Sequence, residues 1–63
     1  SWHGTDRQCR GTVVQALREN DVLTKAQIAL LWDVPSQLEK AILTLLDDGL
    51  IEQRGKNKFS LPR

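Results

Sequence analysis

Apolar residues recur at helical spacing in three segments of the chain. In the first segment, the apolar positions that share one helical face are Cys9, Val13, Ala16 and Leu17. Thr5 and Gln8 form a capping-box pair, because the hydroxyl of Thr5 can accept the amide of Gln8 while the Gln8 side chain reaches back. We therefore predict a helix from about Asp6 to Glu19. Gly11 inside it indicates either close packing or weak early helicity.

The second helical segment is predicted to run from about Lys25 to Trp32. Thr24 and Gln27 repeat the capping box in front of it. The two apolar residues before it, 22–23, are enough for a single β-bridge to another strand. The inner face places Trp32 in the core. Pro35 ends the pattern, because proline disfavours helical geometry in the residue before it.

A third helix is predicted after Ser36, which forms a capping box with Glu39. Its broad apolar stripe consists of Leu38, Ala41, Ile42, Leu45 and Leu46. Gly49 is a natural left-handed stop for this helix, and Leu50 can fold back on the helix end.

The rest of the chain has the pattern of a β hairpin. Residues 50–53 and 58–61 flank the polar turn 54–57, and Ile51, Phe59 and Leu61 can point inward. The expected fold class is therefore mainly α with a small β hairpin. This order of elements is typical of a winged helix, which is a three-helix helix-turn-helix followed by a β wing. We expect residues 1–4 to be a leader or linker and residues 5–63 to be the winged-helix-like domain.

Composition limits the chain to one small domain. Its 63 residues are 40% hydrophobic and 27% charged, as in ordinary globular domains. One Cys and one His cannot supply a disulfide framework or a structural zinc site, so a cytoplasmic location is expected. No apolar run approaches the roughly 18 residues of a membrane span. The absence of Met indicates either a trimmed initiator or a piece of a longer chain.

The sequence offers little for catalysis. Asp47 and Asp48 are adjacent, so on a helix their side chains point about 100° apart and do not face one reacting bond. Cys9 lies between two arginines, which could lower the pKa of a thiol, but its apolar helical face favours a buried side chain. His3 has no acid or nucleophile at an informative spacing. We expect no catalytic residue in this chain and no bound cofactor or metal.

Positive charge is concentrated at the end of the chain. Residues 21–53 carry two basic and six acidic residues, a balance of −4, whereas residues 54–63 carry four basic residues and no acid. Basic residues at every second position of the predicted wing can share one face and contact phosphates. The candidate DNA-binding residues are Arg54, Lys56, Asn57, Lys58 and Arg63. The alternative is that these cations only keep the hairpin edge soluble.

The third helix is a weaker candidate for DNA contact. Its outward face is predicted to carry Gln37, Lys40, Thr44 and Asp47, with Leu43 on the flank beside Glu39. Acids on this face repel phosphate, so base readout is not favoured. Leu43 is instead a candidate interface residue, together with Trp2, which either folds back on this domain or contacts a neighbouring one.

The segment GTDRQCRG, residues 4–11, resembles a run that follows the catalytic region of actinobacterial-type A/G-specific adenine DNA glycosylases. The later runs LTKAQIALLW and KAILTLLDDGLIEQRGKNKFSLP are similar to the short C-terminal region of the same enzymes. The resemblance covers nearly the whole chain. Its most specific part is the octapeptide, because the later runs are compatible with many winged helices.

The resemblance implies an accessory C-terminal domain of a base-excision-repair enzyme that removes adenine mispaired with guanine or 8-oxoguanine. The family's catalytic carboxylates, helix-hairpin-helix element and 4Fe-4S cluster belong to the preceding domain, and none of them maps onto this chain. Better-known members end in a larger Nudix-like domain, for which this chain is too short and too helical.

The implied partners are the catalytic domain and double-stranded DNA, with no membrane. Arg7 and Arg10 would then lie near the junction with the catalytic domain, facing either that domain or DNA. A protein-interaction or structural winged-helix module without DNA binding is the alternative. A free-standing transcription regulator is disfavoured by the acidic outer face of the third helix.

Overall fold

The computed structural model describes residues 5–62. This part of the chain is mainly helical with a small antiparallel sheet, as the pattern predicts. In chain order, the elements are α1 (Asp6–Glu19), β1 (Leu23–Thr24), α2 (Lys25–Ala29), α3 (Pro35–Asp47), β2 (Glu52–Arg54) and β3 (Lys58–Ser60). Trp2, His3 and Arg63 lie outside the described residues.

The three strands form an antiparallel sheet with the order β1-β3-β2. The predicted hairpin is present with shorter strands, and Arg54, predicted in the turn, is the last residue of β2 and lies opposite Lys58, with Gln53 opposite Phe59. The short apolar step before α2 forms β1, whose Leu23 lies opposite Phe59. The central strand therefore joins two segments that are far apart in sequence.

The core lies between α1, α3 and the inner face of the sheet. Its largest fully buried side chains are Ile28, Leu45, Ile51, Val13 and Cys9. All four residues that we assign to the inner face of α1 are buried. The helical spacing therefore predicts the core face correctly, and burial of this apolar surface is the main favourable contribution to folding.

Two of the three predicted capping boxes are present. Thr5 Oγ1 accepts the Gln8 amide at 3.1 Å, and the Thr5 amide donates to Gln8 Oε1 at 2.8 Å. Thr24 and Gln27 repeat both bonds at 3.1 and 2.9 Å. The predicted limits of α1 are confirmed, and Gly11 within it is exposed with nothing within 4 Å of an added Cβ. The close-packing interpretation of Gly11 is therefore wrong.

The third predicted capping box is wrong. α3 begins two residues earlier, at Pro35, and its N-cap Val34 makes no side-chain hydrogen bond. Proline suits the first helical position because its ring fixes a helical φ. An N–H at that position would have no intrahelical partner, so its absence costs no hydrogen bond. Ser36 is consequently already inside the helix, and the carboxylate of Glu39 contacts Lys25 instead.

The second helix is shorter than predicted, since α2 ends at Ala29 rather than at Trp32. The amides of Leu30 and Leu31 donate to the carbonyl oxygens three residues earlier, at 3.2 and 2.9 Å. These bonds tighten the last turn before the extended segment that proline requires. Trp32 packs against the core as expected, half-buried, and its Nε1 donates to Gln37 Oε1 at 2.6 Å.

The end of α3 follows the prediction. Gly49 has a φ of 74°, the Leu50 amide donates to the Leu45 carbonyl at 2.9 Å, and the Gly49 amide donates to the Leu46 carbonyl at 3.1 Å. This pair of bonds is the Schellman motif, which satisfies carbonyls at a helix end. None of the helices between residues 5 and 62 is long and apolar enough to cross a membrane.

Candidate nucleic-acid interface

The turn between β2 and β3 is held in place from two sides. Gly55, with a φ of 76°, begins the turn in a conformation that favours glycine. Gln53 Nε2 donates to the Lys56 carbonyl at 3.0 Å, and the Lys25 amide of α2 donates to the Asn57 carbonyl at 2.6 Å. The backbone that carries the turn cations is therefore fixed against α2.

Three residues form one row across the sheet. Thr24 lies opposite Lys58, which lies opposite Arg54, so the three side chains leave the same face. Arg54 extends diagonally along that face, with Nε donating to Ser60 Oγ at 2.6 Å and Nη2 at 3.4 Å from Glu52 Oε2. Part of the Arg54 guanidinium is thus occupied within the hairpin.

An open groove of about 830 Å³ separates the start of α2 from the hairpin turn. We call it the basic groove, because four cations and no acid are among the described residues that line it: Thr24, Lys25, Ala26, Ala29, Arg54, Gly55, Lys56, Asn57 and Lys58. Within residues 5–62, Lys56 and Lys58 form no ion pair, whereas Lys25 lies 3.3 Å from Glu39. Such a surface attracts polyanions.

The structure brings four of the five candidate DNA-binding residues together in the basic groove: Arg54, Lys56, Asn57 and Lys58. The fifth, Arg63, lies outside the described residues, as does the interface candidate Trp2. DNA binding by these residues stays a prediction. Sequence reasoning missed Lys25, because the capping box placed it on a helix and gave no sign that β1 pairs with the hairpin.

The outward face predicted for α3 is only partly exposed, because Lys40 and Asp47 are exposed whereas Gln37 and Thr44 are half-buried. Gln37 Nε2 donates to Asp6 Oδ1 at 2.9 Å, and Lys40 Nζ lies 3.2 Å from Asp6 Oδ2, so the start of α1 contacts this side of the helix. The hydrogen bond from Gln37 and the charge of Lys40 lower the pKa of the Asp6 carboxyl.

Two leucines are strongly exposed. Leu43 is 67% exposed, in line with its interpretation as an interface residue, and Leu30 is 87% exposed at the end of α2. Leu30 was missed because the predicted helix continued past it to Trp32.

The two arginines of α1 have different surroundings. Arg10 Nη2 lies 2.7 Å from Asp48 Oδ2, so this guanidinium ties α1 to the end of α3. Arg7 is exposed in the first turn of α1 and forms no ion pair within the described part of the chain. Of the two, Arg7 is therefore the one available to a partner, although its role at a junction stays a prediction.

The structure shows the surroundings of the cysteine and of the possible metal ligands among residues 5–62. Cys9 is fully buried, and its burial, with a smaller contribution from the charge of Asp6, raises the pKa of the thiol. The reactive-thiolate interpretation is therefore wrong. Within residues 5–62, no three His, Cys, Asp or Glu residues are grouped so that they could hold a metal ion.

Known proteins similar to this chain share one name. No protein-family model matches the chain. The chain is 42% identical over 60 residues to the adenine DNA glycosylase of Mycolicibacterium smegmatis, an alignment that covers 92% of this chain and 20% of that protein. It is 33% identical over 64 residues to the adenine DNA glycosylases of two Mycobacterium tuberculosis strains, covering 98% of this chain and 21% of each relative. The chain thus spans about a fifth of the curated relatives it matches.

Proposed function

We infer that this chain belongs to the actinobacterial adenine DNA glycosylases, as an accessory C-terminal domain of a longer protein. The support is the similarity over nearly all of its length to mycobacterial proteins of that name, of which it spans about a fifth. The order helix, short strand, two helices, hairpin further supports a winged-helix fold, in which β2, β3 and their turn are the wing.

The longer protein would be a base-excision-repair hydrolase that acts in the cytoplasm on adenine mispaired with guanine or 8-oxoguanine. Its catalytic residues and its 4Fe-4S cluster would lie in the preceding domain. The donor set of this chain does not fit such a cluster, because the sequence contains one cysteine and that cysteine is buried in the core. Within the longer protein, this domain would contribute binding rather than catalysis.

The basic groove carries the proposal. Four cations with no acid among the described lining residues make a surface that fits phosphate oxygens, and Asn57 adds a neutral donor and acceptor. Contacts of this kind position a protein on DNA without reading the sequence, and they weaken with salt. The domain would hold the duplex backbone while the flipped adenine is read in the catalytic domain.

The second candidate function is a protein-interaction module without DNA binding, which packs on the catalytic domain. Leu30 and Leu43 favour it, because they are large apolar side chains exposed at 87% and 67%. It predicts that the chain binds the catalytic domain and does not bind duplex DNA even at low salt.

The test compares DNA affinity across salt concentrations. The main variant combines Lys56→Gln with Lys58→Gln and leaves Arg54 in place, because Arg54 also donates to Ser60. A second variant replaces Arg54, Lys56 and Lys58 together with alanine. Fluorescence anisotropy of a labelled duplex should show a slope of log K against log salt that is shallower by about 1.8, since each contact contributes about 0.9.

The matched control is a double variant of two exposed cations outside the groove, Arg18→Gln with Lys40→Gln, which removes the same charge. It should reduce affinity and slope much less than the lysine double variant. An unchanged affinity and slope in Lys56→Gln with Lys58→Gln would contradict DNA binding through the wing. Both measurements belong on the 63-residue chain and on the full-length protein.

A further inference from the structure

The basic groove has a second wall that the hairpin does not provide. Lys25 is the first residue of α2, and its amide is bonded to the Asn57 carbonyl of the turn. Its side chain is 55% exposed and lines the groove opposite the cations of the hairpin. A polyanion that lies in the groove therefore meets positive charge from two separate elements.

The ammonium of Lys25 is held by one acid from outside the groove. Lys25 Nζ lies 3.3 Å from Glu39 Oε1 of α3, and the Glu39 side chain is 63% exposed. An exposed ion pair of this length contributes little to stability, because water and salt screen both charges. The pair can therefore open at small cost and free the ammonium for another anion.

We propose that Lys25 is a phosphate-binding residue that faces the turn lysines across the basic groove, and that Glu39 competes with phosphate for it. The ligand is the backbone of double-stranded DNA. This inference rests on the proposed function. It adds a phosphate contact from α2, through Lys25, and an acid of α3, Glu39, that competes with the phosphate. Glu39 then lowers the affinity of the groove for any DNA.

The lining of the groove favours a backbone ligand over unpaired bases. No aromatic ring is among the described lining residues, so the groove offers no platform on which single-stranded bases stack. The neutral polar side chains that line the groove are those of Thr24 and Asn57, and the Thr24 hydroxyl already accepts the Gln27 amide. The charged side chains that line the groove are all cations, so an anionic ligand suits it.

Two single variants with opposite expected effects test the proposal. Lys25→Gln should lower the affinity of the chain for a labelled 20-base-pair duplex roughly tenfold at 50 mM salt and reduce the salt slope by about 0.9, which is the effect of one lost phosphate contact. Glu39→Gln should raise the affinity roughly threefold, since it frees Lys25 from an exposed ion pair.

Matched controls separate these effects from total charge. Lys40→Gln removes a lysine that pairs with Asp6 outside the groove, and Glu19→Gln removes an exposed acid of α1. Both should change the affinity much less than their counterparts. Circular dichroism and thermal unfolding of each variant confirm that the fold is retained.

Each outcome supports or overturns a defined part of the inference. If Lys25→Gln has the same DNA affinity as Lys40→Gln, while the double variant of Lys56 and Lys58 still binds more weakly, the inference is wrong and the proposed function stands. If Glu39→Gln leaves affinity unchanged or lowers it, Glu39 is not a competitor. Tighter binding to a single strand of equal length overturns the duplex as ligand. If the unaltered chain does not bind duplex at low salt, the proposed function itself fails.

Discussion

Arg54 and Lys58 are directly opposite each other at the end of the β2-β3 hairpin, so the cross-strand pair next to the turn consists of two cations. Like charges in this position destabilise a hairpin. The Arg54 guanidinium turns away towards Ser60 and Glu52, which reduces the repulsion and does not remove it. Under the proposed function, a bound phosphate would offset the repulsion that remains between these two cations.

Substitution of Lys58 should therefore affect stability and DNA binding in opposite directions. Lys58→Gln removes the repulsion, and Lys58→Glu replaces it with attraction, so we expect the free energy of unfolding to rise by about 0.5 kcal/mol in the glutamate variant. Urea denaturation at low salt measures the change, while anisotropy should show DNA affinity falling from lysine to glutamine to glutamate.

Salt provides the control for the Lys58 series. At 1 M salt the screening length is about 3 Å, so the differences in stability among the three variants should nearly vanish. The same substitutions at Lys56, which lies in the turn without a strand partner, should leave stability almost unchanged. A glutamate variant less stable than the original chain would contradict the proposed repulsion.

The carboxyl of Asp6 should make stability depend on pH. Its pKa lies below the ordinary value of 3.8, chiefly because Gln37 donates to it and because Lys40 is close. Because the pKa of this carboxyl is lower in the folded than in the unfolded chain, its charge stabilises the folded state at pH values above the unfolded pKa. This contribution is lost as the pH falls through the folded pKa. Thermal unfolding of Asp6→Asn should thus show a lower Tm near pH 6 and little difference near pH 2.5.

The partner lysine tests the Asp6 explanation. Lys40→Gln should weaken the same pH dependence, because it removes the ammonium 3.2 Å from Asp6 Oδ2. An Asp6→Asn chain that loses as much stability at pH 2.5 as at pH 6 would show that the effect is one of packing.

The helix caps predict a clear contrast between two hydroxyl residues. Thr24→Ala removes the acceptor of the Gln27 amide and should cost about 1 kcal/mol of stability. Ser36→Ala should be nearly neutral, because Ser36 is inside α3 and is not the N-cap. Urea denaturation of both variants measures the difference, and a large loss in Ser36→Ala would restore the capping box that we reject.

Replacement of two glycines by alanine should change the stability of the chain in opposite directions. Gly49→Ala should destabilise the chain by about 1–2 kcal/mol, because its φ of 74° is unfavourable for a residue with Cβ. Gly11→Ala should stabilise it by about 0.5–1 kcal/mol, since this position is exposed in the middle of α1 and nothing lies within 4 Å of the added Cβ. Denaturation midpoints of the two variants should shift in opposite directions.

The sequence pattern predicts α1 and the end of α3 accurately, because local physics determines both. The capping pair of Thr5 and Gln8 marks the start of α1, and Gly49 marks the end of α3. The end of α2 was predicted three residues too late. Its apolar spacing continues to Trp32, but the segment before Pro35 must be extended, and the hydrogen bond from Trp32 to Gln37 holds it there.

The candidate site was predictable only in part. The alternation of cations in the hairpin is visible in the sequence, and it correctly brings Lys56 and Lys58 together with Arg54. Lys25 was not predictable, because it reaches the groove through pairing between strands that are more than thirty residues apart. Likewise, no local signal shows that Asp6 of α1 pairs with Lys40 on α3.

The pairing of β1 with β3 has a consequence for how binding relates to folding. Because residues 24–25 and 54–58 together form the groove, no isolated hairpin peptide contains it, and it exists only in molecules that have closed the whole sheet. A ligand that requires the assembled groove would bind the native state more tightly than the denatured one, and it would raise the apparent stability by mass action. Occupancy and folding of this small domain are one coupled equilibrium.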